Sequence, residues 1–113
     1  MPAVTIQHSP DLTPGRGVGF ACIVDTETTG TARTDQAVEL ALVLFAFKRS
    51  TGAVLAIVDE YAGLREPTVA MNPFAYQVHG IRAEQLRGQR LDFERVESIL
   101  LRAEFIVAHN ATE

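Results

Sequence analysis

A chain of 113 residues is one domain at most, and 47% hydrophobic content excludes a disordered polymer. At this size a domain buries roughly 65% of its unfolded surface, so a real core is possible. The net charge of −4 argues against a protein that grips nucleic acid through a broad basic face, although divalent cations would neutralise much of the acidity where a phosphate must sit. The longest apolar runs fall far short of the ~20 residues that a membrane helix needs. The opening MPAVTIQHSP has neither the basic start nor the apolar segment of a secretory signal. A lone cysteine, Cys22, forms no internal disulfide and suits a reducing cytoplasm, which is the expected location.

Residues 1–17 carry Pro2, Pro10, Pro14, Gly15 and Gly17 without periodicity and predict a flexible lead-in, with His8 a tail residue. The first strand is expected over Gly19–Asp25. Its apolar run Phe20–Val24 reads as buried on both faces. Asp25 and Glu27 then appear where the strand should end. Residues two apart share a face, with Cα atoms roughly 6–7 Å apart, so both carboxylates project to one side. Like charges that close together are costly to bury without a cation between them, and hard oxygen ligands favour Mg²⁺ or Mn²⁺. Thr28, Thr29 and Gly30 turn the chain away, and Gly30 permits close approach of backbone to a ligand.

A polar loop, Thr28–Gln36, leads to a second strand over Ala37–Lys48, and the turn Ser50-Thr51-Gly52 leads to a third over Ala53–Tyr61. Short turns join antiparallel neighbours, so the three strands form a meander. Glu39, at the start of the second strand, reads as a structural residue paired with an arginine or a backbone donor rather than as a third metal ligand. Asn72-Pro73 predicts a helical turn through Gln77, with Asn72 the N-cap. A second short helix, Ala83–Arg87, stops at Gly88. Asp92 caps the longest helix, Phe93–Ala103, whose apolar stripe is Phe93, Val96, Ile99, Leu100 and Ala103. Arg82, Arg87, Arg90, Arg95 and Arg102 alternate with Glu84, Asp92, Glu94 and Glu97, the pattern of a solvated helix face, with phosphate tracking as the alternative role. Phe105–Ala108 is a fourth strand, and the helix before it favours parallel pairing beside the first.

The motif DTETTG at Asp25–Gly30 resembles the first acidic motif of the DEDD, or DnaQ-like, 3′–5′ exonucleases. VELALVLF at Val38–Phe45, VHGI at Val78–Ile81 and IVAHNA at Ile106–Ala111 follow in that family's order. The resemblance covers Phe20–Glu113. It implies an α/β, RNase H-like mixed sheet, with strands one to three antiparallel and strand four parallel. It also implies a last strand and C-terminal helices beyond the sequence, so that residues 18–113 read as the N-terminal part of an exonuclease domain. The family's next aspartate would fall one position past Glu113, and its later histidine or tyrosine and fourth aspartate would lie further on.

The activity implied is two-metal hydrolysis that releases nucleoside 5′-monophosphates from DNA or RNA 3′ ends, with two Mg²⁺ or Mn²⁺ ions in the complete site. Asp25 and Glu27 are the expected catalytic metal ligands. By resemblance, Thr28 and Thr29 lie against the terminal sugar, while Val78 and His79 pack near the terminal base. Each has a plainer reading: His79 satisfying backbone in its loop, and Val78 belonging to the core. Gly30, His109 and Asn110 are expected to be structural residues near the site. The implied partners are a single-stranded 3′ end and a polymerase or other replication, repair or RNA-processing protein. Self-association through an unpaired sheet edge is expected of the isolated chain. The competing expectation is a catalytically inactive module of the same fold that binds nucleic acid or protein.

Overall fold

The computed structural model describes residues 6–108. His109, Asn110 and Glu113, on which part of the sequence expectation rests, lie outside the described residues. Among the described residues, four strands and three helices follow in chain order: β1 (Val18–Thr28), β2 (Ala37–Lys48), β3 (Val54–Leu64), α1 (Pro73–His79), α2 (Ala83–Leu86), α3 (Phe93–Arg102) and β4 (Phe105–Ala108). The sheet order is β3-β2-β1-β4, antiparallel along the meander and parallel between β1 and β4. None of the helices is long and apolar enough to cross a membrane.

Alternation along the strands sorts side chains onto two unlike faces. One carries Phe20, Cys22, Leu42, Leu44, Ala46 and Val58, which form the core with Ile99 of α3. Val96, Leu100 and Ala103 complete the helix stripe against it. Phe93, at the first helical position, does not join the stripe and is 70% exposed. Burial also pushes the pKa of the Cys22 thiol up, so the thiol stays protonated within this layer.

The other face carries Ala21, Ile23, Asp25 and Glu27 of β1, Phe45 and Phe47 of β2, and Phe105 and Val107 of β4. Phe47 stacks at a tilt against Phe105, ring centroids 5.4 Å apart, and against Phe45 at 6.5 Å. Ile23 is nonetheless 39% exposed, and Phe105 and Val107 are exposed as well. The expectation of a first strand buried on both faces is therefore corrected. Gly19–Cys22 is buried, whereas Ile23 opens onto a face that α3 does not cover.

Ion pairs fasten the periphery. Arg95 donates to both oxygens of Asp59 at 3.1 and 2.8 Å, and Arg102 adds a third contact at 3.2 Å, tying α3 to β3. Arg49 pairs with Glu104 and donates to the Gly15 carbonyl at 2.9 Å. Exposed pairs of this kind contribute about 0–1 kcal/mol each, against about 1.5–3 kcal/mol for each buried large side chain. The core layer therefore dominates stability, and the pairs fix how α3 lies on it. Two of the five arginines thus have structural partners rather than a purely solvated role.

The lead-in is held as well. Gln7–Ser9 forms a parallel bridge to Ile57 of β3, with Ser9 N–H donating to the Ile57 carbonyl at 2.8 Å and Ile57 N–H to Gln7 at 2.9 Å. Leu12 packs on the core. His8 sits in that bridge, so the segment expected to be a loose tail partly covers the β3 edge.

Candidate active site

The ladder between β1 and β2 continues past the apolar run, pairing Asp25 with Ala41, Glu27 with Glu39, and Thr28 with Ala37 after a register shift. The strand therefore ends at Thr28, three residues later than expected, and both carboxylates stand within it. Asp25 and Glu27 project from the face opposite the Phe20–Cys22–Val24 core row, as the two-residue spacing requires. Glu39 shares that face. Its expected arginine or backbone partner is not found: among the described residues Glu39 has neither a hydrogen bond nor an ion pair. Three carboxylates thus lie on one end of the open face, with hard oxygen donors of the kind Mg²⁺ and Mn²⁺ favour. Among the described residues, however, no group of three or more His, Cys, Asp or Glu gathers closely enough to hold a metal ion.

The loop after β1 is built by Thr29 and Asp35. Thr29 is fully buried, and its hydroxyl donates to Asp35 Oδ1 at 2.6 Å while accepting from Gln36 N–H at 3.0 Å. Asp35 Oδ2 accepts from Ala32 N–H at 2.9 Å. A Cβ on Gly30 would meet that Oδ2 at 2.5 Å, so glycine is needed for the carboxylate to close over the loop. Gly30 was expected to admit a ligand, but what presses on it is Asp35. The sugar contact expected of Thr29 is likewise unavailable to its hydroxyl, which is committed to the loop. Thr28, by contrast, stays half-buried at the groove, its hydroxyl donating to the Gly30 carbonyl at 2.7 Å.

This loop is stitched to the next layer. Asn72 N–H donates to the Thr29 carbonyl at 2.7 Å, and Gln36 exchanges hydrogen bonds with Thr68 at 2.6 and 2.9 Å. Asn72 then caps α1 by accepting from Phe74 N–H at 2.8 Å, with Pro73 at the first helical position. Gly80, at φ 70°, ends the helix in the left-handed region that favours glycine. The helix runs two residues further than expected, so Val78 and His79 are helical. His79 bridges the two layers: Nδ1 accepts from Ile81 N–H at 3.0 Å and Nε2–H donates to the Thr28 carbonyl at 3.0 Å. This contact joins α1 to the end of β1. These are backbone contacts of the kind its plainer reading names. Val78 is 71% exposed, which excludes it from the core.

Between β1 and α1 lies a groove of about 370 Å³ lined by Glu27, Thr28, Asn72, Phe74, Val78 and His79, among others. A second groove of about 590 Å³ shares Glu27, Thr28 and Val78 and extends over Arg33 and Asp35. The structure therefore brings Glu27, Thr28, Gly30, Val78 and His79 to one place. Sequence reasoning missed Asn72 as a wall, Asp35 as the clamp and Phe74 as a lining residue. The one available signal for Phe74 was its position four before Val78, on the same side of a helix.

An antiparallel meander with a parallel fourth strand beside β1, and acidic side chains at the end of that central strand, define an RNase H-like α/β sheet. A family model described as exonuclease, of the RNase T type, matches residues 22–113, and the chain belongs to this family. Solved structures agree on the fold. A full-length 3′-exonuclease is 16% identical with a TM-score of 0.56, over 82% of this chain and 34% of that one. A product-bound exonuclease I is 18% identical with a TM-score of 0.59, over 81% and 22%. E. coli exonuclease I in complex with a dA16 oligonucleotide is 18% identical with a TM-score of 0.58, over 81% and 21%. The chain thus spans about a third or less of the length of these structures. No curated protein sequence matches it significantly.

Proposed function

We propose that this chain provides the first acidic motif and the nucleotide groove of a metal-dependent 3′–5′ exonuclease that releases nucleoside 5′-monophosphates from single-stranded DNA or RNA. The observation that carries this reading is Glu27, which shares a strand face with Asp25 and also lines the groove beneath α1. Mg²⁺ or Mn²⁺ ions, held in part by Asp25 and Glu27, would supply charge neutralisation at the phosphate and a bound water of lowered pKa. Thr28 lines the groove, and its hydroxyl, which gives its proton to Gly30, keeps an acceptor oxygen for a terminal sugar. His79 holds the Thr28 carbonyl and the start of the next loop, so it orients the sugar side of the groove. It is no proton acceptor here, because Nδ1 already accepts from Ile81 and Nε2 already carries the proton given to Thr28.

The test is hydrolysis of a single-stranded oligonucleotide labelled at either end, in Mg²⁺ or Mn²⁺, comparing the chain with Asp25→Ala and Glu27→Ala. Stepwise shortening from the 3′ end, with 5′-monophosphates as product and loss in both variants, supports the reading. Metal titrations that are the same for the unsubstituted chain and Asp25→Ala would remove its foundation.

A second reading, a catalytically inactive binding module, is favoured by one observation: the carboxylates of the described residues do not by themselves make a metal site. It predicts binding of an oligonucleotide or protein without cleavage. The exposed apolar face around Ile23 and Val107, beside a β4 edge without a strand partner among the described residues, supports self-association of the isolated chain under either reading.

A further inference from the structure

We infer that Gln7–Ser9 is a removable strap over the apolar half of β3, and that the edge beneath it pairs with β3 of a second copy of this chain once the strap lifts. This pairing is independent of any nuclease activity. β3 closes one side of the sheet in the order β3-β2-β1-β4, so it turns a row of backbone N–H and C=O groups away from β2. The first half of the strand is Val54-Leu55-Ala56-Ile57-Val58, an apolar run without charge or proline. Runs of this composition, rich in β-branched residues, are the ones through which unprotected strands pair with their like. Val54 and Leu55 are 49% and 43% exposed, so the run is reachable from solvent, while Ala56 and Val58 are buried and hold it in place.

The two halves of the strand are guarded differently. Asp59 and Glu60 follow the apolar run, and charge on an edge discourages pairing there. The apolar half has no charge and takes a piece of the chain's own lead-in as a short parallel partner. His8 bridges Ile57, whose N–H donates to the Gln7 carbonyl at 2.9 Å and whose carbonyl accepts from Ser9 N–H at 2.8 Å. The native structure thus shows that this edge accepts an extended segment at the centre of the exposed run.

The strap is lightly held. Gln7 and His8 are exposed, and the two backbone bonds to Ile57 carry the contact with β3. Leu12, by contrast, packs on the core, and Gly15 N–H donates to the Val18 carbonyl at 2.8 Å. Release therefore stops short of Leu12 and leaves the sheet intact, a local opening rather than unfolding. Two copies meeting edge to edge about a two-fold axis present the same run to each other, so one surface supplies both sides of the contact.

The test is sedimentation of the full chain over a concentration series, in a Val107→Lys background that suppresses association through the open face around Ile23. Ser9→Pro removes the N–H given to Ile57 without altering β3 and should tighten self-association about tenfold or more. Adding Leu55→Lys places a charge within the run and should reverse that gain. Hydrogen exchange supplies a second readout. In Ser9→Pro at low concentration the Ile57 amide should exchange faster with β2 core amides unchanged, and its protection should return as concentration rises.

An Ile57 amide that exchanges no faster in Ser9→Pro overturns the strap. Faster exchange throughout the chain overturns it as well, because the lead-in is then part of the global fold. Local release without tighter association, or association that Leu55→Lys leaves unchanged, overturns the pairing of β3 with a second copy.

Discussion

Glu27 on β1 lies directly across the ladder from Glu39 on β2, and among the described residues neither carboxylate has a hydrogen bond or ion pair. Like charges facing each other across an antiparallel pair destabilise it by about 0.2–1 kcal/mol. Without metal, Glu27→Gln and Glu39→Gln are each expected to stabilise the chain by up to that amount in urea denaturation. With Mg²⁺ the two should part. The unsubstituted chain and Glu39→Gln gain stability from the ion, while Glu27→Gln loses that increment. If both variants keep it, Glu27 is not a ligand.

The loop that supports the groove depends on a clamp rather than on ligand contacts. Thr29→Val removes the hydroxyl shared by Asp35 and Gln36 in a fully buried position. The expected loss is about 1–3 kcal/mol, as for a buried polar group left without a partner. Gly30→Ala forces a methyl onto Asp35 Oδ2 and should cost about 1–3 kcal/mol by overpacking. Equilibrium unfolding in urea measures both, and an effect under about 0.5 kcal/mol for each would show that the clamp matters little.

His79 fastens α1 to β1 through both ring nitrogens. His79→Ala leaves the Thr28 carbonyl and the Ile81 N–H without partners and is expected to destabilise by about 1–2 kcal/mol. Hydrogen exchange should report the loss locally, as faster exchange of the Ile81 amide with core amides of β2 unaffected. Uniform acceleration across the chain would indicate global weakening instead.

Acid stability should carry the signature of Asp59. Hydrogen bonding from Arg95, aided by the charge of Arg102, holds its carboxyl below the ordinary value of 3.8. A group whose folded pKa is depressed binds its proton more weakly in the folded state than in the unfolded state. Its contribution is therefore complete above the ordinary carboxylate value and is lost as pH falls through 3.8 toward the folded pKa. Asp59 is 24% exposed, so the effect is reduced by solvent screening. In melting experiments across this range, Asp59→Asn is expected to lower stability at neutral pH and to flatten the acid limb. A variant with an unchanged acid limb would locate the titrating group elsewhere.

The open face makes a further prediction about association. Ile23 and Val107 are neighbours across the parallel β1–β4 pair and both are exposed. Sedimentation of the isolated chain should show concentration-dependent self-association, and Ile23→Lys or Val107→Lys should weaken it about tenfold or more. Burying one such side chain contributes about 1.5–3 kcal/mol, and 1.4 kcal/mol is a factor of ten. A chain that stays monomeric at high concentration would remove this expectation.

The amino-acid sequence by itself determined the order of elements, the meander and the parallel fourth strand. Local signals suffice for these: an apolar run, the Ser50-Thr51-Gly52 turn, the Asn72-Pro73 and Asp92 caps, and a helix of crossover length before Phe105. It also determined that Asp25 and Glu27 share a face, because strand alternation depends only on spacing. What only the tertiary structure decided is which groups meet across the chain. That Thr29 turns inward to Asp35, that Glu39 faces Glu27 without an ion pair among the described residues, and that His79 reaches the Thr28 carbonyl all depend on loops packed against each other. The exposure of Phe74 and Val78 is of the same kind. A side chain's neighbours far along the sequence are set by how layers dock, and no local propensity encodes that contact.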